Sequence, residues 1–161
     1  MWSSLLFALD QFESGQRALD FVSEFAAANA CSVRVLHVRE YSHSGRVPPL
    51  ETPEDAEALV ADAVFRLRMC DVGAGGRSRS SLRDQVAARI VEEAMFHECD
   101  AIVLGSRRLR GYARLSAQGV RERVLRLSDL PLLIAPTCTV NGFVSPTRLR
   151  ETIPQSERRR S

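Results

Sequence analysis

Short apolar runs alternate with longer amphipathic segments along most of this chain, and this alternation constrains its fold more than any other feature. Apolar runs of about four to eight residues are typical of buried strands, and apolar residues that recur every three or four positions are typical of helices. Strands that alternate with helices predict βαβ units, and therefore a parallel sheet with helices on both faces. At 161 residues, 45% of them hydrophobic, the chain has the length and apolar content of one such three-layer domain.

Five strands are expected from this alternation. The third consists mostly of Arg and Ser, so it fits only the edge of a sheet, because a central parallel strand is buried on both faces. The first strand ends at Asp10, and the fourth ends at Gly105. The expected strands cover residues 5–9, 32–38, 77–82, 100–105 and 130–135.

Four helices are expected between these strands. The second has the clearest start, because Thr52 is a favourable N-cap and Pro53 a favourable first residue. We expect the glycine-rich residues 73–76 to end it. The first helix begins near Ser14, and the third runs from about Arg83 to His97. The residues expected to face the core are Leu19, Val22, Phe25 and Ala26, then Leu59, Val60, Ala63, Val64 and Leu67, then Val86, Ile90, Val91 and Met95, and finally Val120, Val124 and Leu127.

Right-handed crossovers between these elements build a doubly wound sheet, for which we expect the strand order 3-2-1-4-5. In such sheets ligands bind beyond the carboxyl ends of the strands, at the point where the strand order reverses. Here the reversal falls between the first and fourth strands. Asp10 and Gly105 stand at those two strand ends, so the sequence predicts a pocket between them.

Three groups of residues together resemble one known family. They are residues 6–10 with 17–19, residues 35–38, and the long segment from 100–107 through 120–126 to 130–134. In this combination the chain resembles the universal stress protein family from Leu5 to Pro136. The resemblance implies an adenine nucleotide alpha-hydrolase-like fold and a cytoplasmic role in stress response or signalling, exerted through a regulatory protein partner. We expect this domain at 1–144, followed by a mobile tail at 145–161, because those last residues are polar, contain proline and end in three arginines.

The resemblance also implies a homodimer in which the fifth strands meet at the sheet edge. Apolar residues near that strand fit such pairing. The first three of them have an alternative role, as the buried residues of the fifth strand itself. The residues concerned are Leu132, Leu133, Ile134, Val140, Phe143 and Val144.

Family members that bind ATP carry the pattern G-x2-G-x9-G-[S/T] after the fourth strand, where glycines let backbone amides approach the phosphates. Gly105 and Ser106 match the start of this pattern. Arg108 stands at the second glycine position, and Gln118 stands at the third. Gly119 stands at the Ser/Thr position and departs from the pattern, whereas Val120 agrees with the apolar residue that begins the following helix. We therefore expect binding of ATP or AMP, with magnesium, to be weak or absent.

Two further positions are implied by the resemblance. Asp10 would hydrogen-bond the adenine base, and backbone groups of Val38 would assist it. A strand-end aspartate has a second possible role, because it often caps the following loop or helix. Both roles remain open for Asp10 at the level of sequence.

All 22 basic residues are arginine, and seven of them crowd into twenty residues that contain one acid, Glu122. Arginine clusters bind polyanions, so these side chains offer another means of holding phosphate. One alternative is a solvated face partly paired with the acidic segment 51–62. Another is contact with nucleic acid, which would be nonspecific because this segment has no interleaved aromatic residues on which bases could stack. The seven arginines are Arg107, Arg108, Arg110, Arg114, Arg121, Arg123 and Arg126.

No catalytic group stands out, so we expect no enzyme, with a slow ATPase as the alternative. His37, His43 and His97 look isolated, and a chain without lysine has no Walker lysine. The cysteines are widely spaced without ligand motifs, which indicates reduced thiols and a cytoplasmic setting. We expect neither a membrane span nor a signal peptide. The cysteines are Cys31, Cys70, Cys99 and Cys138. The sequence leaves open whether the loop at 42–49 becomes ordered when a ligand binds.

Overall fold

The computed structural model describes residues 2–41, 51–105 and 119–136, which form one five-stranded parallel sheet with helices on both faces. The strand order is β3-β2-β1-β4-β5, as predicted from the sequence. The strands are β1 (Ser4–Leu9), β2 (Ser32–Tyr41), β3 (Ala74–Leu82), β4 (Ala101–Gly105) and β5 (Leu132–Ala135). The helices are α1 (Glu13–Asn29), α2 (Pro53–Met69), α3 (Val86–Phe96) and α4 (Val120–Leu127), with a short 3-10 helix at Arg83–Gln85 before α3.

Two apolar cores lie on the two faces of this sheet. Helices α1 and α2 cover one face, where Phe7, Leu19 and Leu67 are fully buried or nearly so. Helices α3 and α4 cover the other face, where Leu6 and Ile102 lie beneath them. This division follows from the strand order, because the direction of travel along the sheet reverses after β3 and right-handed crossovers then place the helices on the opposite face.

Strand β1 lies at the centre of the sheet and pairs with both β2 and β4. Its last residue, Leu9, lies opposite His37 of β2, and Ala8 lies opposite Leu104 of β4. The carboxyl ends of β1 and β4 therefore lie side by side. Asp10 follows β1 and Gly105 ends β4, so both stand at the end of adjacent strands where the strand order reverses, as the sequence indicated.

The third strand is an edge strand, as its polarity predicted, but its start was predicted wrongly. Helix α2 already ends at Met69, and Gly75 and Gly76 belong to the strand rather than to a helix break. A Cβ on Gly76 would lie 2.6 Å from the Val35 carbonyl oxygen and 2.8 Å from a methyl carbon of Val60. Glycine is thus required here because both β2 and α2 approach the strand closely.

The start of α2 was predicted correctly. Thr52 accepts a hydrogen bond from the backbone N–H of Asp55 at 3.1 Å, and the Asp55 carboxylate accepts one from the Thr52 backbone at 3.0 Å. This reciprocal capping box satisfies two backbone donors at the helix end. Proline occupies the first helical position, where no donor is needed.

Helix α3 differs from the prediction in its inward face. Met95, which we expected to face the core, is 68% exposed, whereas Glu93 is fully buried. Helix α4 also buries less than expected, because Leu127 is 55% exposed and Val124 is its fully buried residue. Val86, Ile90 and Val91 do face the core as predicted, and all three are buried.

A hydrogen-bonded clamp joins the amino ends of β1 and β4. Asp100 precedes β4 rather than belonging to it, and its carboxylate accepts backbone hydrogen bonds from Ser3 at 2.6 Å and Ser4 at 2.9 Å. These bonds, with a third from the Ser3 hydroxyl, lower the pKa of Asp100. The clamp fixes the register that brings the opposite ends of the two strands together.

Candidate functional site

Asp10 makes a tight turn at the carboxyl end of β1. Its Oδ1 accepts a hydrogen bond from the Phe12 backbone N–H at 2.9 Å, as in an Asx turn. Gly15, in the first turn of α1, lies so close that a Cβ there would overlap the Asp10 carbonyl oxygen. The local turn role that the sequence left open for Asp10 is therefore present in the structure. It holds the Asp10 carboxylate against Phe12, the N-cap of α1.

His37 is tied to two other elements, so its interpretation as an isolated histidine was wrong. The ring is buried, with Nδ1 lying 2.8 Å from the Leu9 carbonyl oxygen and Nε2 lying 2.7 Å from Oε1 of Glu51. Because a carbonyl oxygen only accepts, Nδ1 carries a hydrogen. The contact between Nε2 and Glu51 then holds one further proton, on the imidazole or on the carboxyl group. His37 thereby connects β2 with the end of β1 and with the residue before the α2 N-cap.

The signal that could have found His37 lies in the alternation of β2. Val33, Val35 and His37 share one face of that strand, and the first two are buried apolar residues. A histidine at the next position of a buried face needs partners for its ring nitrogens. The sequence could not show that a glutamate fourteen residues later would supply one.

Val38 faces the opposite side of the sheet from His37. It is partly buried against the core beneath α3 and α4, and it pairs in register with Arg79 of β3. Gly105 ends β4 opposite Ala135 of β5. Ser106, Arg108 and Gln118, which the sequence analysis placed in the phosphate motif, lie outside the described residues.

The start of α4 lies toward the same end of the sheet as the crevice. Strand β5 follows α4 after four residues, so the helix C-terminus lies near the start of β5 and its N-terminus points toward the strands' carboxyl ends. Gly119 is the N-cap of this helix, and Val120 is its first residue. The structure thus brings both to the expected side of the sheet.

Glu122 folds back onto this helix end. A Cβ on Gly119 would lie 2.6 Å from Oε2 of Glu122, which shows how near the carboxylate is to the N-cap. Hydrogen bonds from its own backbone, with the neighbouring Arg121 and the Gly119 backbone, lower the pKa of Glu122. A negative charge therefore already lies at the helix end that an incoming phosphate would approach.

The arginines of α4 do not face the acidic segment at 51–62. Arg121 pairs with Glu122 at 3.2 Å, and Arg123 donates to the Asp84 carbonyl oxygen at 2.9 Å. Helix α4 covers one face of the sheet, whereas that acidic segment leads into α2 on the other face. This placement on opposite faces does not favour the alternative in which α4 pairs with that segment. The cluster members from Arg107 to Arg114 lie outside the described residues.

Other predicted features can be placed within residues 2–41, 51–105 and 119–136. Cys31, Cys70 and Cys99 are free thiols, and burial together with nearby Asp100 raises the pKa of Cys31. No helix in these ranges is both long and apolar enough to cross a bilayer. The same residues hold no group of three or more His, Cys, Asp and Glu side chains arranged to bind a metal ion. Cys138, His43 and the tail at 145–161 fall outside them.

The strand order and the polar residues at its reversal define a class of protein: an α/β domain with the adenine nucleotide alpha-hydrolase-like fold. The sequence model of the Universal stress protein family matches residues 1–136. The chain therefore belongs to the universal stress protein family, as its motifs indicated. Among curated proteins, no match is found.

Solved structures of this family share the fold at low sequence identity. A universal stress protein family member from Burkholderia pseudomallei is 24% identical with a TM-score of 0.64, and the match covers 84% of this chain and 96% of that one. A universal stress protein in complex with cAMP is 20% identical, with a TM-score of 0.65 and coverages of 85% and 98%. One from Archaeoglobus fulgidus in complex with dAMP is 20% identical, with a TM-score of 0.60 and coverages of 84% and 98%.

Proposed function

We propose that this chain is a homodimeric cytoplasmic stress-response protein whose crevice between β1 and β4 binds ATP or AMP weakly or not at all. The proposal rests on one observation: Asp10, Gly105 and the start of α4 all lie at the carboxyl ends of the strands. Two proteins with the same fold are described as complexes with cAMP and dAMP, which supports an adenine nucleotide as the class of ligand.

Two features support weak binding. Arg108 and Gln118 replace glycines, and a side chain at a position that needs left-handed backbone costs about 1–2 kcal/mol and obstructs the phosphate path. The carboxylate of Glu122 lies beside the N-cap of α4, where it repels a second anion. Asp10 can remain useful to the protein as a turn residue even where no base binds.

Calorimetric titration with ATP and magnesium, and separately with AMP, tests the proposal. We expect dissociation constants above about 100 µM, which corresponds to roughly 5.5 kcal/mol of binding free energy or less. Replacing both residues, Arg108→Gly with Gln118→Gly, should tighten binding at least about tenfold. Arg126→Gln is the matched control, because it removes an exposed arginine of α4 outside the glycine pattern. A low-micromolar constant for the unaltered protein would contradict the proposal.

The second candidate function is an ATP- or AMP-binding protein with slow ATPase activity, in which arginine side chains hold the phosphates. The arginine-rich stretch after β4 favours it, because guanidinium groups bind phosphate bidentately. The single substitution Arg108→Gly separates the two candidates. It should tighten nucleotide binding if Arg108 obstructs the phosphates, and weaken it if Arg108 holds them. A phosphate-release assay on the same samples reports hydrolysis, which the first proposal expects to be absent.

A further inference from the structure

A fully buried carboxylate on α3 gathers basic side chains from two strands. Oε1 of Glu93 accepts a hydrogen bond from Nε of Arg77 at 2.8 Å, and Nη2 of Arg77 donates to Oε2. Burial opposes ionisation of Glu93, but the hydrogen bonds and charge of Arg77, with the charges of His97 and Arg34, outweigh it and lower the pKa of Glu93. Glu93 is therefore ionised. Its ion pair with Arg77 explains why α3 buries Glu93, whereas Met95 was expected to face the core.

Two more arginines converge on the same carboxylate from a greater distance. Nε of Arg34 lies 3.7 Å from Oε1 of Glu93, and Nη1 of Arg79 lies 3.6 Å from Oε2. Among the described residues, Glu93 is the one carboxylate within 4.0 Å of these guanidinium groups. Three positive charges thus surround one negative charge. We call Arg34, Arg77, Arg79 and Glu93 the arginine cluster.

The arginine cluster is also short of hydrogen-bond acceptors. Nε of Arg34 is buried and has no hydrogen-bond partner among the described residues. Nε2 of His97 is buried as well and lies 3.2 Å from Oε1 of Glu93 without the geometry of a hydrogen bond, so the interpretation of His97 as an isolated histidine was wrong. The side chains of Arg34, Arg77 and Arg79 are nevertheless 30%, 41% and 36% exposed, so each is partly in contact with solvent. Polar groups that are removed from water without partners destabilise a fold, and an added acceptor would relieve that cost.

The backbone makes room for these side chains. Arg34 lies opposite Gly75 in the pairing of β2 with β3, and a Cβ on Gly75 would lie 3.3 Å from Nη1 of Arg34. Arg77 is held on its other side by Phe96, whose ring centroid is 5.8 Å from its Cζ. Arg77 is thus fixed between Glu93 and an aromatic ring, whereas Arg34 and Arg79 approach Glu93 only to 3.7 and 3.6 Å and keep donors that Glu93 does not use.

We propose that the arginine cluster binds a small, multiply charged oxyanion of the phosphate type, for which pyrophosphate is the probe. Guanidinium groups bind such oxygens by charge-assisted, bidentate hydrogen bonds, and the surplus positive charge favours a divalent or more highly charged ligand. Arg34 lies opposite Leu6 in the middle of β1, whereas Arg79 pairs with Val38, level with the carboxyl end of β1. The cluster is carried by β2, β3 and α3, so it lies beside the crevice between β1 and β4 and not within it.

Thermal unfolding and calorimetry with sodium pyrophosphate, compared with sodium chloride at equal ionic strength and without nucleotide, test this site. At about ten times the dissociation constant, pyrophosphate should raise the unfolding midpoint of the unaltered protein by about 3 °C. Arg79→Gln should weaken binding at least about tenfold and so reduce that rise to about a third or less. Arg83→Gln should preserve both, because its arginine is 81% exposed and pairs with Glu40 outside the cluster.

A second variant guards against a folding defect in the first. Arg79→Lys keeps the positive charge but loses the guanidinium fork, so it should fold normally and bind pyrophosphate several-fold more weakly. Equal midpoint shifts in all variants would overturn the proposal, as would no shift in the unaltered protein. Arg34→Gln should also weaken pyrophosphate binding. Because Arg34 lies opposite Leu6, away from the carboxyl end of β1, its ATP titration should match that of the unaltered protein, so failure of the cluster and failure of the crevice are told apart.

Discussion

A histidine ring that is buried between elements needs partners for both nitrogens, and His37 finds them on β1 and before α2. The Leu9 carbonyl oxygen belongs to the backbone, so no substitution removes it. The contact with Glu51 is different, because a single side chain supplies it over 2.7 Å. At the scale of the residue, Glu51 therefore controls whether the buried ring is satisfied and whether the end of β2 stays joined to the start of α2.

We expect Glu51→Ala to lower the free energy of unfolding by about 1–3 kcal/mol, because it leaves Nε2 of His37 buried without a partner. Urea unfolding followed by circular dichroism measures this change. Glu54→Ala is the matched control, since that glutamate is exposed in the first turn of α2 and should change stability by only a few tenths of a kcal/mol. If the two variants lose the same stability, the link between His37 and Glu51 contributes nothing.

Residues of this kind mark the limit of what the sequence predicts. Asp10 could be placed because it directly follows an apolar strand, and its turn depends on residues two positions away. His37 could not be interpreted, because Glu51 lies fourteen residues away and meets it only after the sheet has formed. Glu93 has one near neighbour in sequence, His97, but the arginine that hydrogen-bonds it lies sixteen residues away on β3. Local chemistry is readable from spacing, whereas contacts across elements require the fold.

The bounds of a helix or strand are predictable from sequence where local residues set them, and not where contacts with distant residues do. The start of α2 was predictable because Thr52, Pro53 and Asp55 carry the capping chemistry within one turn. The start of β3 was not, because its glycines look like a loop until α2 is packed over them. Gly76 is needed for the close approach of a helix, and that approach leaves no pattern in the neighbouring residues.

Gly76→Ala and Gly73→Ala form a matched pair that tests this account of β3. The first should destabilise the protein by about 1–3 kcal/mol, because the new Cβ would overlap the Val35 carbonyl oxygen and Val60. The second should be neutral or slightly stabilising, because its nearest neighbour is Cβ of Ser32 at 3.9 Å. Denaturant unfolding of both variants gives the comparison, and a tolerated alanine at position 76 would contradict the proposed close packing.

At the scale of the whole molecule, the strand order was the most predictable property. It follows from the sequence of elements, the handedness of crossovers and the polarity of one edge strand, and none of these depends on a particular side chain. The two edges of the resulting sheet differ in character. Strand β3 carries arginine and serine, which discourage pairing with another chain, whereas β5 carries half-buried Leu132, Leu133 and Ile134. We therefore expect a second copy to pair at β5 rather than at β3.

The hydrogen-bond ladder of β5 gives this expectation a specific test. The Ile102 backbone N–H donates to the Pro131 carbonyl oxygen, so alternate residues from Pro131 onward face β4, and the backbone N–H of Ile134 faces the open edge. Ile134→Pro removes that outward donor while sparing the ladder to β4, and should convert a dimer into a monomer. Ile134→Ala removes the side chain but keeps the donor, and should remain dimeric. Light scattering at high micromolar concentration distinguishes the two masses. A monomer before any substitution would refute pairing at β5, and a dimer that survives Ile134→Pro would move the interface away from the open edge of this strand.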